Sequence, residues 1–320
     1  MKTVSELTDI YYKHLYPSLQ ELEDERKKIK NKLIGIGFFY TLLIGIITLF
    51  LLSYDASTEA LFGVVFIYIA GMGFLYRWLI KDYTNDFKFK IIAPLIKAID
   101  KNLTYSPSLH LPSHYFVQSK LFTSEPDRIT GNDYVQGTID NVAIKFSDLQ
   151  VETKHENSKG NEEYTTIFMG LFIVSEFNKN FHGRTVILPD TAQKTFGDYL
   201  GHLLQQNNFQ RADLVKMDNP AFEKEFVVYG TDQIEARYIL TPAFMEKLLI
   251  LKKRSKHPVS VSFVNKNIHI AIEYNKDLFE PSVFHSLLKY KIAMEYIQTL
   301  HLAVGIIEEL KLNKKLWSKL

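Results

Sequence analysis

Asp232, Glu235 and Arg237 lie close together in the stretch TDQIEARYILTP, and they are the side chains best placed to do chemistry in this chain. Read as a strand, Glu235 and Arg237 alternate with Ala236 and Tyr238, so both charges share one face and Asp232 sits at the strand's mouth. An arginine beside a carboxylate can grip an anionic group bidentately. It can equally tie one strand to its neighbour across a sheet, which is the commoner use. The turn FNKNFHGRT gathers Lys179, His182 and Arg184 between aromatic residues. A basic, aromatic-bearing turn suits phosphate headgroups, and it also suits an ordinary hairpin end. These six residues are the candidate binding positions. A further charged set, Glu223, Lys224 and Glu225, adjoins Phe222 and Phe226.

No catalytic residue can be assigned from the pattern. There is no G-x-S-x-G elbow, dinucleotide-binding glycine turn or Walker loop, and Gly35 and Gly37 lie inside an apolar run. The chain has no cysteine, which removes disulfides, thiolate-bound zinc, iron–sulfur clusters and thiol nucleophiles together. His110 and His114 are spaced as metal ligands can be, but Pro112 between them makes a loop and no third ligand follows. No metal and no cofactor is expected. A formal net charge of +2 gives no reason to expect nucleic acid as a partner.

The elements that must position these residues begin with two uncharged apolar runs. Leu33 to Ser53 is long enough as a helix to cover roughly 30 Å, the hydrocarbon thickness of a bilayer. The second runs from Ala60 to Tyr76 and continues past Arg77 to Ile80, with Arg77 able to snorkel and Trp78 suited to the headgroup level. Arg26, Lys27, Lys28, Lys30 and Lys32 precede the first run, and Arg77, Lys81, Lys88 and Lys90 follow the second. The loop between them holds Asp55 and Glu59 and no basic residue. The positive-inside rule then predicts two spans in a cytoplasmic membrane with both termini in the cytoplasm. The organisation expected is an amphipathic helix at 1–32, a transmembrane hairpin at 33–80 (spans 33–53 and 60–80), an amphipathic connector at 81–113 and a cytoplasmic domain at 114–320.

Leu15, Leu22 and Ile29 recur every seven residues in the first helix, with Leu19 and Leu33 offset and Arg26 interrupting the face. That predicts a packed amphipathic helix or a short coiled coil. In the connector, Ile92, Leu95, Ile96, Ile99 and Leu103 make an apolar face that either docks on the domain or lies on the inner leaflet, and Pro94 should kink or start a helix. From Tyr115 the period shifts to two. Turn residues such as Gly131-Asn132-Asp133 divide the short stretches, and strands are predicted at 165–177, 184–189, 225–230, 235–240, 259–264 and 268–274. Helices are predicted after Asp190, with Gln193 at capping-box spacing and Phe196, Leu200, Leu203 and Leu204 as its apolar stripe, at Pro242 to Leu251, and from about Ser282 to Leu312. The order of elements argues an α+β fold: a membrane hairpin followed by an antiparallel sheet with packed helices and a long closing helix.

The segments ITGNDYVQG, KFSDLQVET, IFMGLFIVSEFNKNFHGRTVILPD, DNPAFEKEFVVYGTDQIEARYILTP, VSFV, LFEPS and IIEELKLNKKLW resemble a family of bacterial membrane proteins known only as domain of unknown function 3137. The resemblance runs from about Tyr115 to Trp317. It implies a bacterial source and a two-span architecture, and it brings no activity and no catalytic residues. The expectation is a membrane-anchored cytoplasmic binding module or scaffold, with the lipid bilayer and a protein partner or second copy as its company. A membrane-surface enzyme, and a subunit of an oligomeric channel or transporter, are the alternatives.

Overall fold

This computed structural model describes residues 2–122, 124–156, 160–176, 181–190 and 213–310. The helix expected after Asp190, with Gln193 and Phe196, lies outside the described residues, as does Lys179. The fold is α+β: two long apolar helices, then nine antiparallel strands with helices, closed by another helix. The chain divides into two compact units. One comprises 1–4, 96–278 and 296–320, the other 5–95 and 279–295.

The second unit is built on two helices. After a short α1 (Val4–Asp9) and a π-helical turn at Ile10–His14, α2 runs Tyr16–Ser53 and α3 runs Thr58–Phe87. The break between them is local chemistry. Asp55 takes a positive φ of 49°, and the Ser57 hydroxyl caps the new helix by accepting from the Ala60 N–H. A second π-helical turn, Lys88–Ile92, leads into α4, Ala93–Ile99, so Pro94 falls at a helix start rather than breaking one. Both long helices are long and apolar enough to cross a membrane, and only 11% and 6% of their apolar windows are buried within the protein. Phe38, Phe39, Phe62, Phe66 and Phe74 all face outward. The two helices meet through polar contacts. The Tyr40 hydroxyl donates to the Ile67 carbonyl at 2.9 Å, Thr41 and Tyr68 hydroxyls lie 3.0 Å apart, and the two tyrosine rings stack. Gly71 makes room for this, since a Cβ there would fall 2.3 Å from the Tyr40 oxygen.

Below the apolar run, α2 buries Leu19, Leu22, Ile29 and Leu33, and Leu15 just before it is buried too, the positions the heptad reading singled out. It also buries Glu23 and Arg26, exposed by only 6% and 7%. Arg26 is no interruption of the face. Its Nε and Nη2 donate to both Glu23 carboxylate oxygens at 2.9 and 2.7 Å, and its Nη1 donates to the Val283 carbonyl at 2.7 Å. Glu23 in turn accepts from the Leu287 N–H at 3.3 Å. Burial alone would raise the Glu23 carboxyl pKa. The hydrogen bonds from Arg26 and Ser286 oppose it, and with the Arg26 charge they hold it below the usual carboxylate range. Tyr83 Oη reaches the Ser282 carbonyl at 3.4 Å, and the buried Lys88 ammonium pairs with Glu280 at 2.5 Å. Residues 280–287 are therefore a bent strap that is neither helix nor strand, and the closing helix starts at Tyr290 rather than Ser282.

The first unit holds the sheet, in the order β1 (Thr104–Ser106), β2 (Arg128–Ile139), β3 (Val142–Glu156), β4 (Glu162–Glu176), β9 (Asn267–Glu273), β8 (Val259–Val264), β5 (Arg184–Pro189), β7 (Phe226–Gly230) and β6 (Asp213–Leu214). The β2–β3 connection is two residues, Asp140 and Asn141, both at positive φ as a tight hairpin requires. Gly131-Asn132-Asp133 is not a turn. It lies within β2, where the register slips between Asn132 and Val135 and Asp133 takes a φ of 58°. Residues Ser113–Ser119 form a short helix, α5, where a strand-like period had been expected. β4 is buried on both faces. Phe168, Phe172 and Val174 join Phe116, Leu149 and Val151 in one core, while Leu171 and Ile173 are covered on the other side. Among the described residues the remaining helices are α6 (Pro220–Glu223), α7 (Gln233–Ile239), α8 (Pro242–Ser255) and α9 (Tyr290–Glu309). Thr241 caps α8, and Phe244 of that helix meets Phe263 edge-on.

Removing Arg26 leaves a buried carboxylate without its cation. Arg26→Ala is expected to cost about 3–5 kcal/mol, and the pair replacement Glu23→Leu with Arg26→Met to recover much of that loss. Unfolding of the full-length chain in detergent, followed by fluorescence, measures both; equal stability of the single and double variants would show that the pair is not coupled.

Candidate functional site

The turn entering β5 and the helix α7 converge at the end of the sheet. Gln233–Ile239 is a helix, not the strand that the alternation of charges suggested. The reason is its cap. Asp232 Oδ1 accepts from the N–H groups of Ile234 and Glu235 at 2.8 and 3.0 Å, which starts a helix at once. Helical geometry separates Glu235 from Arg237 by about 200° around the axis, two steps of a 3.6-residue turn. Glu235 points inward and is buried, while Arg237 is exposed to solvent.

The Glu235 carboxylate sits on the basic turn. Oε1 accepts from the His182 N–H at 3.1 Å and Oε2 from the Gly183 N–H at 2.8 Å. Thr231 completes the clasp, with its hydroxyl accepting from the Arg184 N–H at 2.8 Å and its own N–H donating to the Arg184 carbonyl at 3.0 Å. Two successive backbone N–H groups aimed at one point form an anion site, and here a carboxylate of the chain itself fills it. Arg184 is half-buried, and burial pulls its guanidinium pKa down. The structure thus brings Asp232, Glu235, His182 and Arg184 together through main-chain bonds. Arg237 stands outside that set, and Lys179 lies outside the described residues.

Both glutamates of the other charged set are also spoken for. Glu223 accepts from the Met217 N–H at 2.8 Å, and Glu225 pairs with Lys252. Among the described residues no group of three or more His, Asp or Glu converges as metal ligands do. His110 turns its Nδ1 to the Leu111 carbonyl at 2.8 Å.

A model for the family described as Protein of unknown function (DUF3137) matches residues 166–312. The matched stretch runs from β4 past the end of α9 and takes in every candidate position. The crystal structure of the mycobacterial trehalose monomycolate transport factor A, TtfA, is similar at 11% identity and a TM-score of 0.35, over 67% of this chain and 93% of that one. No curated protein matches.

Two features escaped the sequence reading. A polar cleft of about 160 Å³ is lined by Thr130, Gly131, Asn132, Asp148, Leu149, Gln150 and Asp277. It opens at the β2 bulge. Gly131 is needed there because a Cβ would fall 2.1 Å from the Asp148 carbonyl oxygen. Asp148 Oδ2 accepts from the Leu278 N–H at 2.6 Å and so fixes the chain as it leaves the sheet. The signal was available: glycine, asparagine and aspartate inside a strand mark a bulge. The second feature is His269, buried on β9 opposite Val174 and Ser262. Its Nδ1 lies 3.5 Å from the Ser262 hydroxyl, its Nε2 has no partner, and burial pushes its pKa down to about 4.

Two results are expected. Glu235→Ala strands two N–H groups and should destabilise the chain by about 1–3 kcal/mol, whereas Arg237→Ala should change stability by no more than about 0.5 kcal/mol; denaturant unfolding of the two variants separates them. His269 binds its proton in the unfolded chain near pH 6.5 but in the folded one only near 4. Stability should therefore fall as the pH drops through that window, by about 3 kcal/mol in all from this group. His269→Leu should flatten the melting-temperature profile between pH 7 and 4.5, and an unaltered slope would exclude the histidine as the source.

Proposed function

We propose that this chain is a two-span protein of a bacterial cytoplasmic membrane whose α+β domain, on the cytoplasmic side, works as a binding module or scaffold. The observation that carries the reading is the exposure of the apolar windows of α2 and α3. Side chains such as Phe39, Phe62 and Phe74 are 71%, 75% and 74% exposed. Lipid is the solvent that such a surface needs. The basic residues flanking the helices, against an acidic interhelical loop, support the orientation. A binding role is supported by how the polar candidates are used. Glu235, Asp232 and Glu225 are committed to capping, clasping and pairing, which leaves a scaffold rather than an acid–base set.

The reading makes two demands. The chain should stay in the membrane pellet through alkaline carbonate extraction, and release would overturn the anchoring. A phosphatase reporter active only outside the cytoplasm, fused after Leu320, should be silent. An active fusion would reverse the orientation.

A further inference from the structure

We propose that Lys145, Tyr115 and Gln136 form a binding site for a phosphate group where α5 covers β2 and β3. The site lies apart from the Glu235 clasp and does not depend on the spans. Lys145 stands directly opposite Gln136 in the β2–β3 ladder. Their side chains therefore share one face, with Cβ atoms about 5 Å apart. Tyr134, two residues before Gln136, uses the same face, and its hydroxyl donates to Gln136 Oε1 at 3.0 Å. Tyr115 of α5 lies over them. The Lys145 ammonium donates to the Tyr115 hydroxyl oxygen at 2.5 Å and sits 4.7 Å from the ring centroid. The His114 ring packs against Tyr115 with centroids 4.2 Å apart, which helps to fix it.

The charge of Lys145 is what points to a ligand. The residue is half-buried, and among the described residues no carboxylate comes within ion-pair distance of its ammonium. Cations drawn inward elsewhere are answered: Lys88 by Glu280, Lys90 by Asp86 and Glu21, Lys252 by Glu225. Glu176 acts on Lys145 only from further off. It is exposed, two residues past Val174, the partner of Lys145 on β4, and that diagonal spans about 7–8 Å. The hydrogen bond to Tyr115 raises the Lys145 pKa, so the charge is kept at neutral pH. A partly desolvated ammonium with no counter-ion is costly until an anion reaches it. The donors left over are of one kind. Lys145 keeps further N–H groups, Tyr115 keeps its hydroxyl proton because its oxygen accepts from Lys145, and Gln136 keeps its amide N–H groups because its oxygen accepts from Tyr134. They come from three elements, β3, α5 and β2. A tetrahedral phosphate has an oxygen for each, whereas a planar carboxylate has only two in all, and lysine meets phosphate as a point charge.

The test is calorimetry on the full-length chain in a nonionic detergent. At fixed ionic strength it is titrated with inorganic phosphate, glycerol 3-phosphate, dihexanoylphosphatidic acid and acetate. A phosphate should bind and acetate should not. Lys145→Met should weaken binding about tenfold or more, and Tyr115→Phe and Gln136→Leu several-fold each. Glu176→Gln, which removes a competing carboxylate, should tighten it. Melting of each variant shows whether the sheet is intact, and Tyr115→Phe, which loses a single hydroxyl, stands in should Lys145→Met fail to fold. Binding of the two soluble phosphates assigns a free phosphate or phosphate ester. Binding of the phosphatidic acid alone assigns a lipid headgroup, and either result upholds the site. Silence toward all three phosphates overturns it. So does phosphate binding that survives both Lys145→Met and Tyr115→Phe, or acetate that binds as well as phosphate.

Discussion

Arg26 cannot shed its charge, and Glu23 cannot stand buried without a cation beside it. Much of the helical unit follows from that constraint. Placed three residues apart on one face of α2, the two side chains form a closed pair whose remaining capacity is turned on a neighbouring stretch of backbone. The carbonyl of Val283 and the N–H of Leu287 find partners there that no regular element offers them. The strap stays out of a helix where Ser282, Val283 and Leu287 bond to side chains of α2 and α3. The same helix then runs on without a break into its apolar window, so the pair and that window share one rod.

The sheet unit solves a different problem. Its middle strands carry apolar side chains on both faces, a pattern more usual in parallel sheets, and each face needs its own cover. Phe116 of α5 supplies one face and Phe244 of α8 the other. The polar side chains near the sheet's end go to the joints. Asp232 starts α7, Glu235 clasps it to the β5 turn, and Asp148 takes the Leu278 N–H where the chain departs. A carboxylate that accepts two main-chain N–H groups does the work of a turn of helix or a rung of sheet without belonging to either.

Periodicity was the legible part of the sequence. The seven-residue recurrence of Leu15, Leu22 and Ile29, the uncharged runs and the strands at 184–189 and 259–264 each reflect many residues acting together. The misread parts were decided by one or two side chains. Gln233–Ile239 alternates like a strand, yet Asp232 and Glu235 stand at the spacing of a helix cap, and over seven residues the cap outweighs the alternation. Arg26 looked like a flaw in an apolar face because nothing near it in sequence says that Val283 will come to meet it. Contacts separated by more than two hundred residues leave no local trace. For the same reason the candidate site was half legible. Residue types at 182–184 and 232–237 marked the place where the chain folds back on itself, but which charge faced inward depended on the helix.

The path of the chain gives these long-range contacts their weight. It leaves the sheet at Leu278, is held from Glu280 to Leu287 by side chains of α2, α3 and the π-helical turn that follows, and only then starts the closing helix, whose residues from Tyr296 onward belong with the sheet again. A fragment beginning near Thr104 would keep every strand and lose Glu23, Arg26, Tyr83 and Lys88. The Val283 carbonyl and the Leu287 N–H would then lose their partners, and the strap would have no reason to stay out of a helix. The closing helix could extend backward through the freed residues until Pro281 stopped it.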